Sequence, residues 1–337
     1  MQPPINTSHY HHETSTLAPL PTGLEHLQLP SQRWRWLWRL LKRHPKTATA
    51  LYLGVSLGVF LLAELARPAW LLHLILANCI GLSACLIGLL IRDSLSDTIK
   101  NRDQLQKTLP LILLGVAPIT RSRSKLPYAL YSSQQPDSPV AHAFRALHRN
   151  ILTITQHQPL TTLNITSTDA SEGKSSTTVN LATVFAQSGT KVLLVDADLR
   201  RPTLHQHLKL HNTKGLGHYL AELSTLESVI QTTDIEHLFF IPAGATTPHP
   251  VELLSSDRLQ QLVDYIKQPD NDFDLLIIDS PPVKGLADTI IISNRTQATI
   301  LVAAAYQTQR TMLQSIAERL QQQGNANLIG MILTKFE

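Results

Sequence analysis

Cysteine is nearly absent from this chain: its 337 residues include only two, Cys79 and Cys85, both in one apolar run. That scarcity excludes a disulfide framework and a cysteine-ligated metal site, and the soluble part of the chain reads as cytosolic. No carboxylate or cysteine pattern accompanies His9, His11 and His12, so these read as solvated side chains. Charge is missing where it matters most. Leu71 to Ile91 carries none, and Thr47 to Ala66 carries only Glu64 near its end.

Each of these two runs approaches the roughly 20 residues that a helix needs to cross a bilayer core. Only Arg67-Pro68-Ala69-Trp70 separates them. The expectation is a two-helix transmembrane hairpin, with spans at about 47–66 and 71–91. Two other readings are weaker: a cleaved signal peptide would begin nearer Met1, and soluble cores rarely hold uncharged runs of this length. Arg33, Arg35, Arg39, Lys42, Arg43 and Lys46 precede the first span, and Arg92, Lys100 and Arg102 follow the second. The positive-inside tendency then places both chain ends in the cytoplasm. Trp34, Trp36 and Trp38 alternate with arginines and read as an interfacial belt on anionic lipid, not as a nucleic-acid platform. His73 and Asn78 lie inside the second span, where a hydrogen bond across the hairpin or to a neighbouring subunit is expected. Gly54 with Gly58, and Gly81 with Gly88, suit close helix packing.

The chain divides into a disordered, basic segment 1–46, the hairpin 47–91, a juxtamembrane linker 92–138 and a nucleotide domain 139–337. Within the linker, Asp97 to Lys107 reads as helical and Arg121 to Pro139 as flexible. Ser138-Pro139 opens a helix with Val140, Phe144, Leu147 and Ile151 on one face. Beyond it, strands and helices alternate, which implies an α/β fold with a doubly wound, mostly parallel sheet.

Three strings carry the chemistry. Ser167-Thr-Asp-Ala-Ser-Glu-Gly-Lys-Ser175 follows a strand and opens a helix, and it reads as a P-loop. Thr168, Asp169, Ala170, Ser171, Glu172, Gly173, Lys174, Ser175 and Ser176 would cradle phosphates, with Lys174 on the β- and γ-phosphates and the Ser175 hydroxyl on magnesium. The strict pattern starts on glycine, and Ser167 stands there instead. Two hydrophobic strands, Lys191–Val195 and Leu275–Ile278, end on carboxylates, in Asp196-Ala-Asp198 and in Asp279. Strand carboxyl ends are where open α/β sheets bind ligands. The three acids divide naturally into metal contact, water contact and proton transfer.

Taken together the strings resemble the bacterial tyrosine kinases of capsule and exopolysaccharide systems, within the P-loop class that also holds MinD and ParA. The resemblance rests on Val195-Asp-Ala-Asp-Leu-Arg-Arg-Pro202, Asp279-Ser-Pro-Pro282, Pro242-Ala-Gly244, Pro248-His-Pro250 with Glu252-Leu-Leu254, and Asp288. It implies an ATP- and Mg2+-dependent protein-tyrosine kinase in which Asp196 accepts the tyrosine proton, Lys174 assists, and Asp198 and Asp279 organise the metal with Ser175. It also implies a bacterial inner-membrane location, a homo-oligomer, a protein tyrosine substrate, and a periplasmic chain-length or polysaccharide-export partner. Three departures are visible. Only a few residues separate the spans, where relatives carry a periplasmic domain. No tyrosine cluster closes the sequence. The leading helix reads His142-x-x-Arg145-x-x-His148, where the family's ring contact is Glu-x-x-Arg-x-x-Arg. The alternative reading is a membrane-anchored, MinD/ParA-like ATPase switch without kinase activity.

Overall fold

Strands buried along their whole length need cover on both faces, and four such strands form the middle of this protein. A computed structural model describes residues 52–58, 70–94, 97–99, 111–119, 128–268, 271–283, 287–322 and 326–336. The chain forms two units, divided between Ser96 and Asp97. The expected tail 1–46 and most of the turn at 67–70 lie outside the described residues.

In the first unit, residues 52–58 are helical and α1 spans Trp70–Ser94. Tyr52 Oη donates to Asn78 Oδ1 across the pair, as expected for Asn78. Tyr52 also packs on Cys85 and Leu89. A Cβ on Gly81 would stand 2.3 Å from Ser56 Oγ, so the helices touch closely there, whereas Gly54 and Gly58 have nothing within 4 Å. Close packing therefore uses Gly81 and not the Gly54–Gly58 pair. Among the described residues, no helix is long and apolar enough to cross a membrane.

The second unit is built on an eight-stranded sheet of order β1-β8-β7-β2-β6-β3-β5-β4. The strands are β1 Leu113–Pro118, β2 Thr162–Ser167, β3 Val192–Asp196, β4 Gln231–Thr232, β5 Leu238–Ile241, β6 Leu275–Asp279, β7 Ala298–Ala304 and β8 Leu328–Phe336. All neighbours are parallel except β4 with β5. Helices follow in chain order: α2 Tyr131–Gln134, α3 Pro139–Ile154, α4 Lys174–Gln187, α5 Leu204–Leu208, α6 Leu216–Leu220, α7 Leu226–Val229, α8 Pro250–Ser255, α9 Asp257–Ile266, α10 Ala287–Arg295 and α11 Arg310–Gln322.

Alternate residues of a strand face opposite sides, and β6 divides accordingly. Leu275 and Ile277 join Phe144, Leu147 and Ile151 of α3 and the apolar side chains of α4. Leu276 and Ile278 join Leu259, Leu262 and Val263 of α9. The expected doubly wound, mostly parallel architecture is what forms. Helix α3 starts where its sequence says it should: Ser138 Oγ accepts from Ala141 N at 3.1 Å, and Pro139 occupies the first turn.

The linker expectation for 92–138 is corrected. β1 is an edge strand paired in parallel with β8. Tyr128 and Tyr131 pack into the core with Phe144. Asn180 of α4 holds this segment, donating to Tyr128 O at 2.8 Å and accepting from Ser132 N at 2.9 Å. Asp97 to Ile99 is extended, not helical, and pairs with the loop before α11. Tyr306 N donates to Ile99 O at 2.7 Å and Ile99 N to Thr308 O at 3.0 Å. The Asp97 carboxylate accepts from Arg310 Nε at 3.1 Å and from Thr311 Oγ1 at 2.8 Å.

His148 is buried edge-on against Phe185, with ring centroids 4.4 Å apart. It is a core residue of this chain, and Arg145 Nη2 donates to Pro136 O at 2.8 Å. Burial, and then the Arg149 charge, hold the His148 imidazole below its ordinary 6.5. The unfolded chain therefore takes up the proton first as pH falls, so stability is full above about 6.5 and declines below it. The urea midpoint is expected to drop between pH 7.5 and 5.5, and to drop less in His148→Phe. An equal drop in both would show that His148 is solvated.

Candidate functional site

The register of the central strands brings the predicted acids together. Asp196 and Asp279 are direct neighbours across β3 and β6, and Asp279 lies beside Ile165 of β2. The loop after β2 rises over their carboxyl ends. Ser171 and Gly173 take left-handed backbone angles, φ 63° and 88°, the alternation that turns successive N–H groups toward an anion. Gly173 then caps α4, whose N-terminus adds its dipole.

Asp279 is the hub, 1% exposed. Its Oδ2 accepts from Lys174 Nζ at 2.6 Å and Ser175 Oγ at 2.9 Å. Its Oδ1 accepts from Thr178 Oγ1 at 2.8 Å. Ser175 Oγ also accepts from Thr203 Oγ1 at 3.1 Å. Asp198 Oδ1 accepts from Arg201 N at 3.0 Å, and burial raises its carboxyl above the ordinary carboxylate value.

A cavity of about 490 Å3 opens over this cluster. Asp169, Ala170, Ser171, Gly173, Lys174, Ser175, Ser176 and Asp198 line it as the sequence suggested. Arg200, Arg201, Thr203 and His207 line it too. Two predicted loop residues turn away. Glu172 is buried, and its carboxylate accepts from the loop's own Thr168 N at 2.8 Å and Asp169 N at 3.0 Å, and from the Thr168 and Thr308 hydroxyls. Burial pushes the Glu172 carboxyl upward. Thr168 is buried with it. These two shape the loop from beneath and are absent from the cavity lining.

Asp196 is also placed apart. It is fully buried and absent from the cavity lining. Oδ1 accepts from Asp198 N at 3.2 Å, and Oδ2 from Thr203 N and Leu204 N, each at 3.1 Å. It thereby fixes the first turn of α5. Burial first, then the Asp279 charge, push its carboxyl up to about 7.

Sequence reasoning missed His207, Thr178 and Thr203, because none belongs to a motif with a stated role. Thr178 was in principle findable, one helical turn after Lys174 on the same face. Asp288, picked out by resemblance, pairs with Arg200 at 2.8 Å. Pro242-Ala-Gly244 is a packing motif: Pro242 O and Ala243 O accept from Leu216 N and Gly217 N at the start of α6.

The donor set available to a cation is all oxygen, from Ser175, Asp198 and Asp279, which suits magnesium. Among the described residues, no three His, Cys, Asp or Glu side chains are placed to hold a metal by themselves. The shell must be completed by phosphate and water, as magnesium prefers.

A strand, a left-handed nest, a helix N-terminus with its lysine, and carboxylates on the two strands beyond define a P-loop nucleotide-binding α/β protein. Residues 162–329 match the AAA domain family model. The chain is 34% identical over 197 residues to tyrosine-protein kinase YwqD of Bacillus subtilis strain 168, covering 58% of this chain and 82% of that protein. To the tyrosine-protein kinase ptk of Acinetobacter johnsonii it is 30% identical over 293 residues, 81% of this chain but 38% of that protein. The kinase domain of the Escherichia coli tyrosine kinase ETK superposes with a TM-score of 0.64 at 29% identity, over 71% of this chain and 95% of that one. The chain belongs to the bacterial tyrosine-protein kinase family.

Proposed function

We propose that this chain is a membrane-anchored, ATP-dependent protein-tyrosine kinase serving exopolysaccharide or capsule assembly. The observation that carries the reading is Asp279, held by Lys174, Ser175 and Thr178 beneath a phosphate-shaped loop. When ATP enters, Lys174 would leave Asp279 for the β- and γ-phosphates, and the loop amides would take the phosphate oxygens. Ser175, Asp198 and Asp279 would hold magnesium, which supplies charge neutralisation on the phosphates.

A tyrosine hydroxyl, with an ordinary pKa of about 10, is a poor nucleophile at neutral pH. Asp196 is the group assigned to accept its proton. A carboxyl raised to about 7 is matched to a base working near neutrality. Its oxygens are occupied by backbone amides, so the turn at Thr203–Leu204 must loosen for it to meet the acceptor. Among the described residues no tyrosine lines the cavity, so the acceptor would come from a second copy or from a partner such as an export protein.

Membrane anchoring is supported by outward apolar side chains on α1: Leu76, Ile80, Leu82, Ile87 and Ile91 are each at least 44% exposed. Such a patch wants lipid or protein over it, and the flanking basic residues agree with a cytoplasmic kinase domain.

Purified protein incubated with ATP and magnesium is expected to form phosphotyrosine on itself or on a co-encoded export partner, and Lys174→Met is expected to form none. Intact ATP hydrolysis without phosphotyrosine on either would replace the kinase with the ATPase switch.

A further inference from the structure

His207 belongs to no motif, yet it lines the cavity beside Lys174, Asp198 and Arg201. Asp279, His205 and Lys174 act electrostatically on its ring, and of these Asp279 and Lys174 stand at the terminal-phosphate end of the loop. Neither ring nitrogen has a hydrogen-bond partner among the described residues. Arg200 differs: its guanidinium is already taken by both oxygens of Asp288, at 2.8 and 3.2 Å.

The position of His207 is set before any nucleotide arrives. Asp196 clamps the amides of Thr203 and Leu204, and Thr203 Oγ1 lies 3.1 Å from Ser175 Oγ. The short helix carrying His207 is therefore tied at its start to both the β3 carboxylate and the metal-side serine. Burial holds the ring below its ordinary pKa, so it is neutral, with one N–H to give. A half-buried donor without a partner is unfavourable alone, and a ligand oxygen relieves it.

We propose that His207 recognises the terminal phosphoryl group, its imidazole N–H donating to a γ-phosphoryl oxygen. A nucleoside diphosphate ends short of that contact, so His207 lets the protein distinguish the triphosphate from the diphosphate product. The inference rests on the ATP reading given above.

The test is the affinity of the full chain, with magnesium, for a non-hydrolysable ATP analogue and for ADP. His207→Ala is expected to weaken the triphosphate analogue about tenfold, the worth of one hydrogen bond to a charged group, and to leave ADP within about twofold. Equal weakening of both nucleotides, or no change in either, overturns the proposal. His207→Phe keeps the ring's bulk and removes the donor, and the same ratio decides it should the alanine variant fail to fold. If the wild-type chain binds neither nucleotide, it is the ATP reading that fails.

Discussion

Lys174→Met is expected to unfold at a markedly lower denaturant concentration than the wild type, as well as to lose phosphotransfer. The ammonium lies 2.6 Å from the Asp279 carboxylate, and the two side chains are 7% and 1% exposed. Deleting one partner of a buried pair strands the other's charge, which costs about 3–5 kcal/mol. The Ser175 and Thr178 hydroxyls still reach Asp279, so the lower end of that range is expected. Asp279→Asn in the Lys174→Met background removes the stranded charge and is expected to recover most of the stability and none of the activity. Urea unfolding of the four proteins in this double-mutant cycle isolates the pair. Were Lys174→Met as stable as the wild type, the lysine would be solvated in the nucleotide-free protein, and the hub described for Asp279 would be wrong.

Glu172→Ala should damage the site although Glu172 lies outside the cavity lining. Its carboxylate accepts from two loop amides and two hydroxyls, and alanine leaves these donors buried without a partner. Each such orphan costs about 1–3 kcal/mol, less what entering water recovers, so a loss of about 3 kcal/mol or more is expected. Nucleotide affinity should fall with it, because the left-handed turn at Ser171 is held in place by those bonds. Glu172→Gln keeps one accepting oxygen and should be intermediate in both stability and affinity. An alanine variant with unchanged unfolding midpoint and unchanged ATP-analogue affinity would show that the loop holds its shape without Glu172.

Much of the sheet was legible because buried parallel strands are written as unbroken apolar runs. Val192–Asp196 is shifted by one residue at each end from the expected Lys191–Val195, and Leu275–Asp279 runs one residue past the expected Ile278. β1 was not legible. Leu109 to Ile119 carries two prolines, which argue against a central strand but not against an edge, and only the distant pairing with β8 makes it one. Tyr128–Gln134 was hidden by its Ser/Gln/Pro-rich surroundings, since the bonds that order it come from Asn180 of α4. At the site, the motifs located Lys174, Ser175 and Asp198 on the cavity and Asp279 directly beneath Lys174 and Ser175. They could not say that Glu172 would fold back beneath its own loop, nor that Asp196 would cap α5. Both outcomes depend on which amides a carboxylate meets in three dimensions. His207 was invisible for the same reason: a five-residue helix has no periodicity to read, and its importance comes from where Asp196 and Thr203 pin it.

The pairing of β1 with β8 also sets an order in time. β1 is made before the P-loop, yet among the described residues the strand it pairs with is the last of the sheet to be translated. At about 10 residues per second, roughly 20 s separates their synthesis. During that interval β2, β3 and β6 gain the neighbours they need, while β1 and β7 both lack the strand that lies between them. Thr334 Oγ1 of β8 donates to Glu172 O and Lys335 Nζ to Ser171 O, so the strand that closes the flank also ties down the phosphate-binding loop, and the nascent chain finishes the two together.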